Sequence, residues 1–262
     1  MKKKPFFIAI AFIAALFFTT VQGQEYKKEL FINGHDTLLL RVMYPNNFNP
    51  DQSYPLILFL HGAGERGNDN DKQLVHGASF FADSTNREQF PAVVIFPQCP
   101  EKDYWARIET TTDAQGKRSF FFKPKLEPTH AMTILLAYLD QLLQQKWTEQ
   151  SRIYLGGLSM GGMGTFELLY RKPDVFAAAF PICGGGDPET TKIYAKKVPV
   201  WVFHGEVDAV VPVELSVKMV ESLKNNGAEP RLTIYPEVNH NAWDYVFQEK
   251  DLLPWLFSNR KL

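Results

Sequence analysis

Three side chains in this 262-residue chain combine the types and spacing needed for nucleophilic catalysis: a serine between glycines, a later carboxylate and a later histidine. The serine lies in Gly157-Leu158-Ser159-Met160-Gly161-Gly162, after the apolar run 152–155 and before a helical pattern. Gly-x-Ser-x-Gly between strand and helix is the nucleophile-elbow pattern. The turn is so tight that the serine takes strained backbone angles and side chains at the flanking positions would collide. In return the Ser159 hydroxyl projects above the sheet at a helix N-terminus, where developing negative charge is favoured. A phosphate-binding loop would need Lys and then Ser/Thr after its last glycine, and Gly161-Gly162-Met163 has neither. A glycine-rich turn with an incidental serine is the bland alternative.

A hydroxyl at neutral pH needs a base, and the base needs orienting. Both should follow the serine, acid first and then histidine, each just beyond a later strand. The run 200–203 leads into His204-Gly205-Glu206-Val207-Asp208, and 232–235 leads into Pro236-Glu237-Val238-Asn239-His240. His240 is therefore the expected base and Asp208 its orienter, with Glu206 as the rival acid. His35, His61, His76, His130 and His204 do not follow the last strand and read as structural histidines. Two N–H donors for an oxyanion are expected: Met160, and Ala63 in His61-Gly62-Ala63-Gly64-Glu65-Arg66-Gly67, with Gly64 as rival. Glu65 and Arg66 read as an ion pair fixing that loop, or as substrate contacts. Trp243, close to His240, would wall the alcohol or acyl pocket, or else pack on the core. Trp105, Phe120, Phe121 and Phe122 could add an aromatic surface for a sugar or aryl group.

These residues need a scaffold that gathers strand ends. Apolar, β-branched runs at 38–44, 55–60, 92–96, 152–155, 177–182, 198–203 and 231–235 read as buried strands. Helical patterns fall at 129–146, 162–171, 213–225 and 242–257, with Gly227 as an expected C-terminal cap. Such alternation implies a mostly parallel sheet covered on both faces, with the helix-poor N-terminal strands forming an antiparallel edge. The stretch 104–123 interrupts the rhythm. Asp113-Ala114-Gln115-Gly116 separates 108–112 from 118–122, which predicts an inserted hairpin, either a structural edge or a wall of the active-site cleft.

Composition sets the outer limits. A chain 45% hydrophobic and 14% aromatic can bury a substantial core, which excludes disorder. Its 28 Lys+Arg against 29 Asp+Glu give no basic excess, so a nucleic-acid partner has no support. Lys2-Lys3-Lys4, an uncharged apolar stretch to Phe18 and the compact residues up to Gly23 have the layout of a secretory signal. Residues 1–23 are thus expected to be removed, leaving 24–262 as one catalytic domain, secreted or periplasmic and off the membrane. An uncleaved anchor is the alternative, disfavoured by the short apolar run. Export permits a Cys99–Cys183 disulfide, although two buried thiols are the simpler expectation. Neither metal-site spacing nor a cofactor loop is evident.

At four places the chain resembles a known group: 61–67, Gly157-Leu158-Ser159-Met160-Gly161-Gly162, His204-Gly205-x-x-Asp208-x-x-Val211-Pro212 and His240-x-x-Trp243. In order, they are similar to the α/β-hydrolase superfamily, in its branch of secreted dienelactone-hydrolase, feruloyl-esterase and polyhydroxybutyrate-depolymerase-like esterases. The resemblance covers about residues 26–257 and implies a single-domain α/β fold with a mostly parallel eight-stranded sheet. It also implies cofactor-free carboxylester hydrolysis, on acylated carbohydrate or aryl esters. True dienelactone hydrolases carry a nucleophilic Cys where this chain has Ser159, which disfavours that substrate. A serine peptidase using the same residues, or a catalytically silent glycan- or protein-binding member, remain the competing readings.

Overall fold

The computed structural model describes residues 25–116 and 118–261, so the segment read as a secretory signal lies outside the described residues. Among the described residues ten strands form: β1 (Lys27–Asn33), β2 (Asp36–Met43), β3 (Tyr54–Leu60), β4 (Val93–Gln98), β5 (Ile108–Thr112), β6 (Arg118–Phe122), β7 (Thr148–Leu158), β8 (Ala178–Ile182), β9 (Trp201–Gly205) and β10 (Arg231–Tyr235). Eight of them make the main sheet in the order β1-β2-β4-β3-β7-β8-β9-β10. The pairs from β4 through β3 to β10 are parallel, whereas β1–β2 and β2–β4 are antiparallel. This is the expected arrangement, including the antiparallel N-terminal edge.

Alternation along the central strands sorts the core into two layers. Leu56, Leu58 and Leu60 of β3 face one side, Ile57 and Phe59 the other. The first side is covered by α3 (His130–Leu142), α4 (Met160–Arg171) and α6 (Val213–Asn225), which contribute Leu135, Phe166 and Met219. The other is covered by α1 (Ala78–Ala82) and, at the chain's end, α8 (Leu252–Ser258), with Phe81 and Leu256 buried, while α2 (Ser84–Gln89) follows α1 with no buried residue. A short α5 (Thr191–Tyr194) precedes β9.

Local signals explain several helix ends. The Thr129 hydroxyl accepts the Met132 N–H at 3.1 Å and starts α3. At the end of α6, Gly227 takes φ +82°, its N–H reaching Lys224 O at 2.9 Å while the Ala228 N–H reaches Leu223 O at 3.0 Å. That is a Schellman ending, at the glycine the sequence marked. The helix expected over 242–257 is instead two pieces, α7 (Trp243–Val246) and α8. Pro254 sits in the first turn of α8, where its missing N–H is tolerated; a continuous helix would drive its ring into the Lys250 carbonyl. Strand β1 escaped sequence reading because its pattern is that of an exposed edge: Leu30 and Ile32 are 59% and 66% exposed. Among the described residues, no helix is long and apolar enough to cross a membrane.

Because β3, β7, β8, β9 and β10 run parallel, the loops that follow them all emerge along one edge of the sheet. Those loops hold residues 61–67, Ser159, Cys183, Asp208 and His240. The hairpin β5–β6 forms its own two-stranded sheet, with the strand limits the sequence indicated.

Candidate active site

Ser159 sits between β7 and α4 with φ 54° and ψ −116°, a left-handed backbone that non-glycine residues rarely adopt. The packing around it explains why the strain persists. A Cβ on Gly161 would stand 1.9 Å from Leu60 O, one on Gly157 2.4 Å from Gly161 O, and one on Gly162 2.6 Å from Ile182 O. The elbow is thus wedged between the ends of β3 and β8, and the Ser159 N–H is tied to Ile182 O at 2.8 Å.

Residues 159, 208 and 240 converge. His240 Nδ1 is 2.7 Å from Asp208 Oδ2, and His240 Nε2 is 2.9 Å from Ser159 Oγ. An ionised carboxylate only accepts, so Nδ1 carries the proton and the Nε2 lone pair faces the serine hydroxyl, which donates to it. The Asp208 side chain is wholly buried, whereas that of His240 is 19% exposed. Burial by itself raises the Asp208 carboxyl. Hydrogen bonds from His204, from His240 and from the Val211 N–H outweigh it and hold the group below the usual carboxylate range. Asp208 Oδ1 accepts the Val210 and Val211 N–H groups, both at 2.9 Å, so the acid is built into its own turn. The rival, Glu206, instead accepts the Glu237 N–H at 3.0 Å and takes no part in the Ser159–His240 chain.

The two expected oxyanion donors begin helical turns, Met160 that of α4 and Ala63 that of a 3-10 turn, Ala63–Glu65. N–H groups at such positions have no partner within their own helix. Gly62 brings the second turn against the elbow: a Cβ there would lie 2.9 Å from Leu158 Cδ1 and 3.7 Å from Ser159 Cβ. Buried His61 secures the same loop. Its Nδ1–H donates to Gly62 O at 2.6 Å, and Nε2 accepts the Cys99 N–H at 2.9 Å. Burial lowers its pKa to about 4, consistent with a neutral ring.

Two sequence expectations are corrected here. Trp105 offers no substrate surface: it is fully buried, its ring 5.4 Å from that of His61 and its Cβ against Gly164. The large apolar ring fills the space beneath the 61–67 loop, so it supports that loop instead of facing solvent. Glu65 and Arg66 do not pair with each other. Glu65 Oε1 faces His76 Nε2 at 3.7 Å, while Arg66 donates to Ala63 O at 2.9 Å and Asp103 O at 3.2 Å. Neighbours in a tight turn point apart, and each finds a partner across the loop. Trp243 is half-buried at the start of α7, its ring 5.2 Å from His240 and 5.1 Å from His76. Phe121 is 47% exposed on β6, whereas Phe120 and Phe122 lean on Met163, Val211 and Leu215. The hairpin therefore stands beside the acid turn. Its tip residues Gln115, Gly116 and Arg118 border, with Glu206, Val210 and Glu214, an open recess of about 480 Å³. A larger recess of about 790 Å³, between Asp174, Lys197, Leu223 and Arg260, lies at the opposite edge of the sheet and contains none of the three converging residues.

Cys99 and Cys183 are buried and unpaired, as the simpler expectation held, and burial pushes both thiols up. Cys183, His204 and Asp208 place donor atoms within 4.8 Å of one another, the grouping among the described residues best able to hold a cation. Both His204 nitrogens are already engaged, however, Nδ1 with Ser216 Oγ at 2.7 Å and Nε2 with Val211 O at 2.9 Å, and Asp208 serves His240. The cluster is a hydrogen-bond network. Sequence reading classed His204 as structural and missed its contact with Asp208; the available signal was its place at a strand end, four residues before the acid.

The model of the phospholipase/carboxylesterase family matches residues 49–250. A bifunctional acetylxylan esterase/xylanase of Neocallimastix patriciarum is 26% identical over 202 residues, covering 77% of this chain and 25% of that protein. Lysophospholipase-like protein 1 of Mus musculus is 26% identical over 195 residues, covering 70% of this chain and 79% of that protein. The crystal structure of a thermostable esterase superposes with a TM-score of 0.80 at 33% identity, over 91% of this chain and 64% of that one. The chain thus spans about a quarter of the Neocallimastix patriciarum relative and about two thirds of the solved esterase. With the family model running from before β3 to beyond α7, this α/β-hydrolase-fold chain belongs to the phospholipase/carboxylesterase family.

Proposed function

We propose that the protein is a serine carboxylester hydrolase that works through an acyl-enzyme, on acylated carbohydrate or aryl esters, after export from the cytoplasm. One observation carries the reading: the unbroken chain Ser159 Oγ–His240 Nε2 at 2.9 Å and His240 Nδ1–Asp208 Oδ2 at 2.7 Å. Ser159 Oγ bonds to the ester carbonyl carbon as His240 Nε2 takes its proton. The N–H groups of Met160 and Ala63 stabilise the carbonyl oxygen as it becomes an oxyanion, each contributing ~3 kcal/mol. Collapse breaks the ester C–O bond, and His240 passes its proton to the departing alcohol. Water then attacks the acyl-enzyme by the same route, releasing the acid and regenerating Ser159. Asp208 keeps its charge throughout and stabilises the transient imidazolium.

The carbohydrate-ester part draws on the acetylxylan esterase similarity and on half-buried Trp243, whose ring lies 5.2 Å from that of His240. Export rests on residues 1–23 alone; the mature exported protein should begin at Gln24.

A fluorophosphonate should label Ser159 in the folded protein. A panel of ester and peptide substrates, with acetylated and feruloylated xylan, should show ester turnover well above peptide turnover. Absence of a Ser159 adduct favours a silent binding protein, and greater peptide turnover favours a peptidase.

A further inference from the structure

Asp208 Oδ2 faces two histidines. His240 Nδ1 lies 2.7 Å away, and His204 Nε2 lies 3.3 Å away on the buried side. His204 is at the end of β9 and wholly buried. Its Nε2 also stands 2.9 Å from Val211 O. A carbonyl and a carboxylate can only accept, so Nε2 must carry a proton. Its Nδ1 is 2.7 Å from Ser216 Oγ of α6, and the same oxygen lies 3.2 Å from Gly184 O, its one proton serving one of the two at a time. One ring thereby joins the end of β9, the 208–211 turn, α6 and the loop after β8.

We propose that His204 is a positioning residue for the acid: its Nε2–H shares Asp208 Oδ2 with His240 and pins the 208–211 turn. The inference rests on the reading of Asp208 as the member that orients the base. Two consequences separate this role from simple core packing. The turn stays where Oδ2 meets His240, and the second donor draws carboxylate charge away from His240. A carboxylate stripped of that donor stabilises the His240 imidazolium more strongly, so His240 loses its proton only at higher pH. The titratable groups closest to the pair are Cys183 from the loop after β8 and His240 from the loop after β10; α6 contributes the Ser216 hydroxyl, and Glu214 of α6, with Glu206 and Arg118, borders the recess that Asp208 also lines.

The test is the pH profile of kcat/KM for ester hydrolysis, whose acidic limb reports the base in the free enzyme. His204→Leu should move that limb upward by about 0.5–1 pH unit and lower kcat. His204→Gln, which carries an N–H near the Nε2 position, should return the limb close to wild type. A His204→Leu limb that stays in place, or a His204→Gln limb coincident with it, overturns the proposal. Histidine-labelled ¹⁵N spectra of the wild-type protein provide a measurement independent of activity and of variant folding. His204 Nε2 should be protonated at neutral pH, and its signal should move on Asp208→Asn; an unprotonated Nε2 overturns the proposal. Should Ser159 fail to take a fluorophosphonate, the esterase reading falls while the spectra still decide the His204–Asp208 contact.

Discussion

Gly161 and Leu60 meet with no room for a side chain: a Cβ on Gly161 would stand 1.9 Å from the Leu60 carbonyl oxygen. The close approach locks the elbow onto the end of β3 and holds Ser159 at φ 54°. Gly161→Ala must push the two apart. It should destabilise the fold by ~2–4 kcal/mol and lower ester turnover at least ~100-fold. Denaturant unfolding paired with initial rates checks this, and a stable, fully active variant would show the contact to be dispensable.

If Ser159, His240 and Asp208 act as the unit proposed above, Ser159→Ala should lower turnover by ~10⁶-fold. For the same reason, adding His240→Ala to Ser159→Ala should produce little further loss. Single-turnover rates on an activated ester measure both. Losses that multiply would mean that the two residues act separately.

Ala63 permits a backbone test of the proposed oxyanion site. It opens a 3-10 turn, and Gly62 before it is extended at φ −77°, ψ −179°, a conformation compatible with a following proline. Ala63→Pro removes one N–H and leaves the chain path intact. The expected result is a fall in kcat of ~10²–10³-fold with little change in KM or melting temperature. Unchanged kcat would move the donor role to Gly64.

Stability should fall on acidification through the window between the unfolded and folded pKa values of His61. Buried His61 has its pKa lowered to about 4, whereas in the unfolded chain it binds a proton below ~6.5. Between those values the unfolded state holds the extra proton, so stability rises with pH and is lost as pH drops, by up to ~3 kcal/mol at pH 4. Asp208, held below the usual carboxylate range, adds a loss of the same sign at still lower pH. Urea midpoints at pH 7 and pH 5 measure the slope. His61→Asn should be less stable at pH 7 and flatter across the window; an unaltered slope would assign the acid sensitivity elsewhere.

Trp105 and Trp243 should separate packing from substrate contact. Trp105→Ala empties a fully buried site under His61 and should cost ~3–5 kcal/mol of stability. Trp243→Ala, at the half-buried ring beside His240, should change KM across the ester panel more than it changes melting temperature. The reverse pattern would exchange the two roles.

Sequence by itself determined the elements whose signal is local. The glycines around Ser159, the strand runs before His204 and His240, the turn at 113–116 and the cap at Gly227 each act within a few residues of chain. Each also stands at its expected place in the fold. The order acid-then-histidine after the serine was legible too, because parallel strands deliver their following loops to one edge.

Tertiary structure alone decided which side chains face each other across that edge. Trp105 and Trp243 are the same residue type near the same site. One is sealed under His61 and the other touches His240, because the loop after β4 turns inward and α7 lies at the rim. Glu65 pairs with distant His76 instead of adjacent Arg66, and His204 shares the oxygen that Asp208 offers to His240. The Trp105–His61 and Trp243–His76 contacts join residues on different loops, and even His204 and Asp208, four residues apart, meet only because the 208–211 turn returns to the end of β9. Their geometry depends on how the strands twist and pack, which no spacing along the chain encodes.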